Sequence, residues 1–235
     1  MTQISFTDPT KVCLVADFYH GNPVDLAKLK AAEWSDIKCP GIIMKCTQGA
    51  GYVDPAYRNR AAQAGGLALL VAAYHFGTAE QVSTQANNFL TNAAPTATTG
   101  LWLDFEDNKS QMGLSQAVDF VDAVDQSTGR TCGVYSGNTL KSAIIHATSS
   151  QRDFLAAHAF WLADYALVPV MVDVNHKQLP WDVPFLHQFT GDGNGPLPHS
   201  LDGLQSGADL SIFRGSAEQL TAAWPLPAIA SKVTS

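Results

Sequence analysis

The chain has 235 residues, 46% of them hydrophobic and 15% charged, with a formal net charge of −7. That length can bury a substantial core without disulfides or metals, and the low charge argues against disorder. The acidic balance argues against nucleic acid and against a purely electrostatic grip on anionic polymers or membranes; a neutral or weakly charged substrate held by hydrogen bonds and aromatic faces is compatible.

The first eleven residues, MTQISFTDPTK, have no basic head followed by an apolar core, so no signal peptide is expected. The longest apolar stretch, 67–74, is too short to span a bilayer, and no membrane insertion is expected.

Apolar runs then alternate with helical patterns. A strand is predicted at 12–17. Asn22 can cap, and Pro23 can take the first helical position, before DLAKLKAAEW. A strand at 41–46 follows. Asp54 and Pro55 repeat the capping device before AYRNRAAQA, and Gly65 suits the stop. After a strand at 68–76, Thr78 and Gln81 form a capping-box pattern before VSTQANNFL. The strand at 101–106 leads to a helix at 115–126, with Ala117, Phe120, Val121 and Val124 at helical spacing and Gly129 behind it. Next come a strand at 131–136, a helix from Asn138 to Ile145, and strands at 160–165, 184–189 and 208–213.

About eight strands alternating with about five helices predict a parallel sheet buried on both faces. In a chain of this length that is an α/β fold, an irregular TIM-like barrel, rather than an open sheet. Beyond Trp161 helical patterns thin and prolines multiply, so a looser, strand-rich end is expected. One domain is expected over 1–224, with a surface tail at 225–235. Cys13, Cys46 and Cys132 lie in apolar runs and read as buried thiols. Cys39, before Pro40, leaves a disulfide open.

Residues 101–107 read LWLDFED. On a strand, Asp104 and Glu106 point one way and Phe105 the other, with Cα atoms roughly 6.6 Å apart. Two carboxyl groups at that range can flank one glycosidic bond. They can equally be a hydrogen-bonded pair capping a loop. A barrel carries its site at the C-terminal ends of its strands. Here those ends offer Asp17, Lys45, Tyr74 with His75, Asp104 with Glu106, Tyr135 with Ser136, Asp164 with Tyr165, and His187 with Gln188. Asp209 differs in lying at the start of its run. Each residue alone has a plain reading: Lys45 as a solvated strand end, His75 as a core histidine, the tyrosines as ring packing. The recurrence at nearly every strand end points to a site. Four acids in one cleft, Asp17, Asp104, Glu106 and Asp209, retain at least one proton near neutral pH, as a general acid requires. Tyr74, Tyr135 and Tyr165 offer flat faces for a sugar ring, and His75, Gln188 and Lys45 complete the expected substrate contacts. The acids and His75 follow no recognised metal-ligand spacing, so neither metal nor cofactor is expected.

In this order the residues resemble glycoside hydrolase family 25, the N-acetylmuramidases (lysozymes). The likeness runs from about Val12 to Gly215. It comprises Asp17 after its apolar run, GIIMKCTQG with Tyr52 and Asp54, AQAGGLALLVAAYHFG, Gln85-Ala86 with Phe89, LWLDFED, VYS, WLADY, HQFTG and ADLSIFRG. The resemblance implies an irregular barrel of eight strands and about five helices. It implies cleavage of the β-1,4 bond between N-acetylmuramic acid and N-acetylglucosamine in peptidoglycan. Glu106 would be the proton donor. Asp104 would be nucleophile, stabiliser, or orienter of the substrate's acetamido group. Asp17 and Asp209 match the two further acids, and the three tyrosines match aromatic positions around the saccharide. The chain departs from the family at Gln48, where Glu is usual, and at His187, where Trp is common and floors a subsite. No wall-binding repeat is expected after the barrel. Two rival readings are a non-catalytic saccharide-binding barrel and a chitin-type glycosidase. The protein is expected to act on the cell wall as a monomer. Delivery would be by phage lysis or by a dedicated secretion system, the latter with an immunity protein that plugs the acidic cleft.

Overall fold

The computed structural model describes residues 11–107, 109–205 and 207–226. Eight strands form the barrel: β1 (Cys13–Phe18), β2 (Gly41–Gln48), β3 (Leu70–Phe76), β4 (Gly100–Asp104), β5 (Gly133–Ser136), β6 (Phe160–Ala163), β7 (Leu186–Thr190) and β8 (Asp209–Phe213). β2 to β7 lie side by side in chain order, β8 sits between β7 and β1, and β1 pairs with β2 to close the ring. Each falls on a predicted apolar run.

The sheet is mixed, which corrects the expectation of a parallel one. β8 runs antiparallel to both β1 and β7. A parallel return needs a crossover, usually a helix, to carry the chain back along the barrel. Among the described residues between β7 and β8 there is no helix, so the chain re-enters at the end where it left.

Among the described residues seven helices surround the barrel: α1 (Leu26–Ala31), α2 (Tyr57–Gly66), α3 (Val82–Ala93), α4 (Leu114–Thr128), α5 (Asn138–Ala143), α6 (Ser149–Ala156) and α7 (Ala217–Ala223). The last two exceed the expected five, and each begins with a formed capping box, Thr148 with Gln151 and Ser216 with Gln219. α4 ends as expected, on Gly129 at φ 65°, in the left-handed region glycine tolerates. Three starts differ from the sequence reading. Asp25, not Asn22, caps α1, because Asn22 instead accepts from the Tyr19 N–H. α2 starts without a side-chain cap, since Asp54 turns to the N–H groups of Ala56 and His20. The Thr78 hydroxyl bonds Glu80 and Gln85 rather than capping α3.

Strand alternation splits the core in two. Outward residues such as Leu14, Ile42, Leu103, Val134, Leu162 and Ile212 pack under the helices. Inward residues Cys13, Val15, Ile43, Ala72, Trp102, Trp161 and Leu186 fill the barrel, and Leu220, Trp224 and Leu226 join them. Trp102 and Trp161 meet edge to face, with centroids 5.6 Å apart. Gly133 makes room for this pair: a Cβ there would fall 2.3 Å from the Trp102 ring. The Trp224 indole donates to the Val71 carbonyl and lies against Gly100, near the starts of β3 and β4. It therefore floors the barrel at the end away from the strand C-termini. The expected tail thus begins with packed residues; 227–235 lie outside the described residues. The four cysteines are buried and unpaired. Among the described residues no helix is long and apolar enough to cross a membrane.

Candidate active site

The inward alternation that gives Val15, Ile43, Ala72, Trp102 and Leu186 to the core gives the next inward positions to Asp17, Lys45, Tyr74, Asp104 and Gln188. The apolar filling is thereby topped by a polar layer at the strand C-termini. Asp209 joins this layer because β8 is reversed: its first residue pairs with Asp17 near the end of β1. Glu106 lies two residues past the end of β4, rather than on the strand as predicted. The strand path nevertheless continues through Phe105, whose N–H donates to the Tyr135 carbonyl and whose carbonyl accepts from Ser136. Phe105 packs outward, Asp104 is buried, and Glu106 is half-buried.

A hydrogen-bonded chain links the layer. The Gln188 amide nitrogen donates to both oxygens of Asp17, at 3.0 Å each. Its carbonyl oxygen accepts from the Tyr135 hydroxyl at 2.8 Å. The Asp192 N–H donates to Asp209 at 3.0 Å. Gly191 leaves space for the Tyr165 hydroxyl and the Asp209 carboxylate, which would lie 2.4 and 2.8 Å from a Cβ there. One buried oxygen of Asp104 has no hydrogen-bond partner among the described residues.

All four acids are held above the ordinary carboxylate range, chiefly by burial. Asp17 is raised well above it, with Asp209 adding repulsion and Gln188 opposing. Asp104 is likewise raised well above it, with Glu106 adding and Lys45 opposing. Asp209 is pushed up to about 6, with the charges of Asp192 and Glu106 adding to burial and the Asp192 N–H opposing. Glu106 is raised by burial and by Asp192, against Tyr135 and Lys45. The pull of Tyr135 requires its hydroxyl proton, which Gln188 already takes. A phenol has one proton to donate, so the bond to Gln188 competes with that pull. Beside Glu106 a cavity of about 400 Å³ opens between Gly137, Asn138, Thr139, Asp164 and Tyr165. That volume is within the range of small-ligand clefts.

The profile of the glycosyl hydrolases family 25 matches residues 24–196. The chain belongs to glycosyl hydrolase family 25. No curated protein matches it in sequence. Its fold is similar to that of the bacterial lysozyme from Streptomyces coelicolor, at 19% identity and TM-score 0.67 over 89% of this chain and 95% of that one. A family GH25 lysozyme from Aspergillus fumigatus gives 22% and 0.68 over 90% and 98%. A muramidase from Acremonium alcalophilum gives 22% and 0.70 over 89% and 97%.

Within this family 25 barrel the expected residues divide. Asp17, Lys45, Tyr74, Asp104, Glu106, Tyr135, Tyr165, Gln188 and Asp209 come together at one end. His75 does not, which corrects its expected substrate contact. Adjacent strand residues face opposite ways, and Tyr74 takes the inward place. His75 is fully buried under the helices, stacked on Phe120 with centroids 4.7 Å apart and bonded to Thr47 and Gln85. His187 also faces out of the barrel, bonding the Asp164 carbonyl at 2.7 Å, so the residue at that position floors no subsite here. The sequence reading did not single out Asp192. It sits in a tight turn at φ 51°, and the only local signal is its GDGN setting. Among the described residues no group of three or more His, Cys, Asp or Glu could hold a metal ion.

Proposed function

We propose that the chain hydrolyses the β-1,4 bond between N-acetylmuramic acid and N-acetylglucosamine in peptidoglycan strands, and so acts on the cell wall. Glu106 protonates the leaving oxygen as the sugar gains oxocarbenium character. Asp104 works beside it. Its unpartnered buried oxygen favours the orienting role over direct attack, because an acetamido N–H would supply the donor it lacks. Asp17 and Asp209 keep the cleft acidic, and Tyr74, Tyr135 and Tyr165 line the sugar. The observation that carries this reading is the position of Glu106: half-buried among three other carboxyl groups, raised above the ordinary carboxylate range by burial, and opening on the 400 Å³ cavity.

Purified protein should clear a peptidoglycan suspension and release fragments with new muramic-acid reducing ends. Glu106→Gln should lower the rate by roughly 10²- to 10⁴-fold with the fold intact. A Glu106→Gln variant that lyses as fast as the parent would refute the assignment. Cleavage of chitin oligomers in preference, or binding of muropeptides without turnover, would point to the other readings.

A further inference from the structure

Lys45 and Gln48 lie three positions apart on one strand, yet their side chains touch. On a regular strand they would point to opposite faces. The register explains the contact. Lys45 lies opposite Tyr74, but Thr47 lies opposite His75, so β2 spends two residues where β3 spends one. Both bulge residues turn outward: Cys46 joins the outer core, and Thr47 bonds His75 at 2.8 Å. Gln48 therefore returns to the inward face, and its amide oxygen accepts from the Lys45 ammonium at 2.7 Å. A bulge beside a site commonly re-aims a side chain in this way.

The ammonium is otherwise set against aromatic faces, 4.7 Å from the Phe76 centroid and 5.7 Å from that of Tyr52. Among the described residues no carboxylate lies within ion-pair distance of it. A half-buried charge without a counterion is costly to keep. The carboxylates whose charge it feels are Asp104, Asp54 and Glu106, of which the first and last belong to the cleft. There it offsets part of the repulsion among the acids, a role that involves no group of a neutral glycan. An acidic glycan gives the cation a second use, because the four carboxyl groups and the net charge of −7 repel such a strand.

We propose that the bulge-borne Lys45, seated on Gln48, Phe76 and Tyr52, recognises a carboxylate carried by the substrate sugar and so selects acidic aminosugar strands over neutral ones. This rests on the glycan-cleaving reading above. The carboxylate is either the acid of an ether-linked lactyl group or an acid of an attached peptide. Lysine donates a charge-assisted hydrogen bond to either, and Gln48, being neutral, leaves its charge unspent.

The test compares three substrates: peptide-free muramyl strands with free carboxylates, the same strands with those carboxylates converted to amides, and peptide-bearing strands. The parent should cleave the free-acid strands with kcat/KM roughly 10- to 100-fold above the amidated ones, mostly through KM. In Lys45→Met that ratio should fall toward one. Gln48→Glu, which places a carboxylate on Lys45, should lower it to an intermediate value. A preference confined to peptide-bearing strands assigns the peptide acid as the ligand; a preference for free-acid strands assigns the lactyl group. Equal cleavage of all three substrates by the parent, or a Lys45→Met variant that keeps the parent's preference, overturns the proposal. Binding of the same strands to Glu106→Gln, followed by titration calorimetry, gives the acid-to-amide preference without turnover. Failure of hydrolysis and failure of carboxylate recognition are then read separately.

Discussion

Gln188 lies against both carboxylate oxygens of Asp17, at 3.0 Å each, and this bond orders the whole floor of the cleft. With its nitrogen committed to Asp17, its oxygen must accept, and Tyr135 supplies the proton. The directions of the hydrogen bonds from Asp17 through Gln188 to Tyr135 follow from that one amide. Gln188→Leu would leave Asp17 and the Tyr135 hydroxyl buried without these partners. We expect a loss of about 2–4 kcal/mol in urea denaturation at pH 7, and a larger proportional loss of activity than of folded protein. Gln188→Glu should be worse for Asp17, since it adds another acid where a donor stood.

Asp209 has its folded pKa raised from 3.8 to about 6. The unfolded chain therefore loses this proton first as pH rises, and the group subtracts stability above that window. Asp209→Asn removes the charge and keeps an oxygen for the Asp192 N–H. At pH 7 the variant should be more stable than the parent by about 1–3 kcal/mol. The difference should vanish as pH falls below 3.8, where the parent carboxyl is protonated in both states. Activity should fall, the exchange expected where a site stores repulsion. Denaturation curves of both proteins from pH 3 to pH 8 give the comparison, and a variant less stable at pH 7 would contradict it.

The strand ends were legible because strand alternation is a strict rule. Asp17, Lys45, Tyr74, Asp104, Tyr135 and Gln188 each end an apolar run, and a barrel turns such ends toward one mouth. The rule runs out where its phase is unmarked. In β3, LVAAYHF is apolar on both faces, so nothing local tells whether Tyr74 or His75 points inward. The β2 bulge is equally silent in sequence, though it decides that Gln48 meets Lys45. The direction of β8 was not read, yet Asp209 at the start of its run was the clue: only a reversed strand brings that residue to the cleft. The capping boxes of α6 and α7 were readable in Thr148-x-x-Gln151 and Ser216-x-x-Gln219, and short helices near the proline-rich end hid them.

His75 tests the inward–outward assignment. Burial lowers its pKa from 6.5 to about 4. A depressed histidine contributes stability above its unfolded pKa and loses it as pH falls toward the folded one. His75→Asn should cost about 2–3 kcal/mol at pH 7, through the lost stacking on Phe120 and the bonds to Thr47 and Gln85. That penalty should shrink between pH 6.5 and about 4, because only the parent's unfolded state gains the imidazole proton. Hydrolysis per folded molecule should persist at neutral pH. A variant that folds normally but no longer hydrolyses would return His75 to the cleft.

Leu226 decides where the folded unit ends. It packs with Trp224 and Leu220 against the inward residues of the barrel, at the end opposite the acids. If the chain beyond Trp224 were only a surface tail, Leu226→Ala would change stability by less than about 0.5 kcal/mol. Burial at the barrel floor predicts a loss of about 2 kcal/mol instead, and Trp224→Ala about 3–5 kcal/mol, since it also strips a donor from the Val71 carbonyl. Both sites are remote from Glu106, so each variant should keep the parent's pH profile for hydrolysis while its melting temperature falls. A Leu226→Ala protein that melts with the parent would place the boundary before that residue.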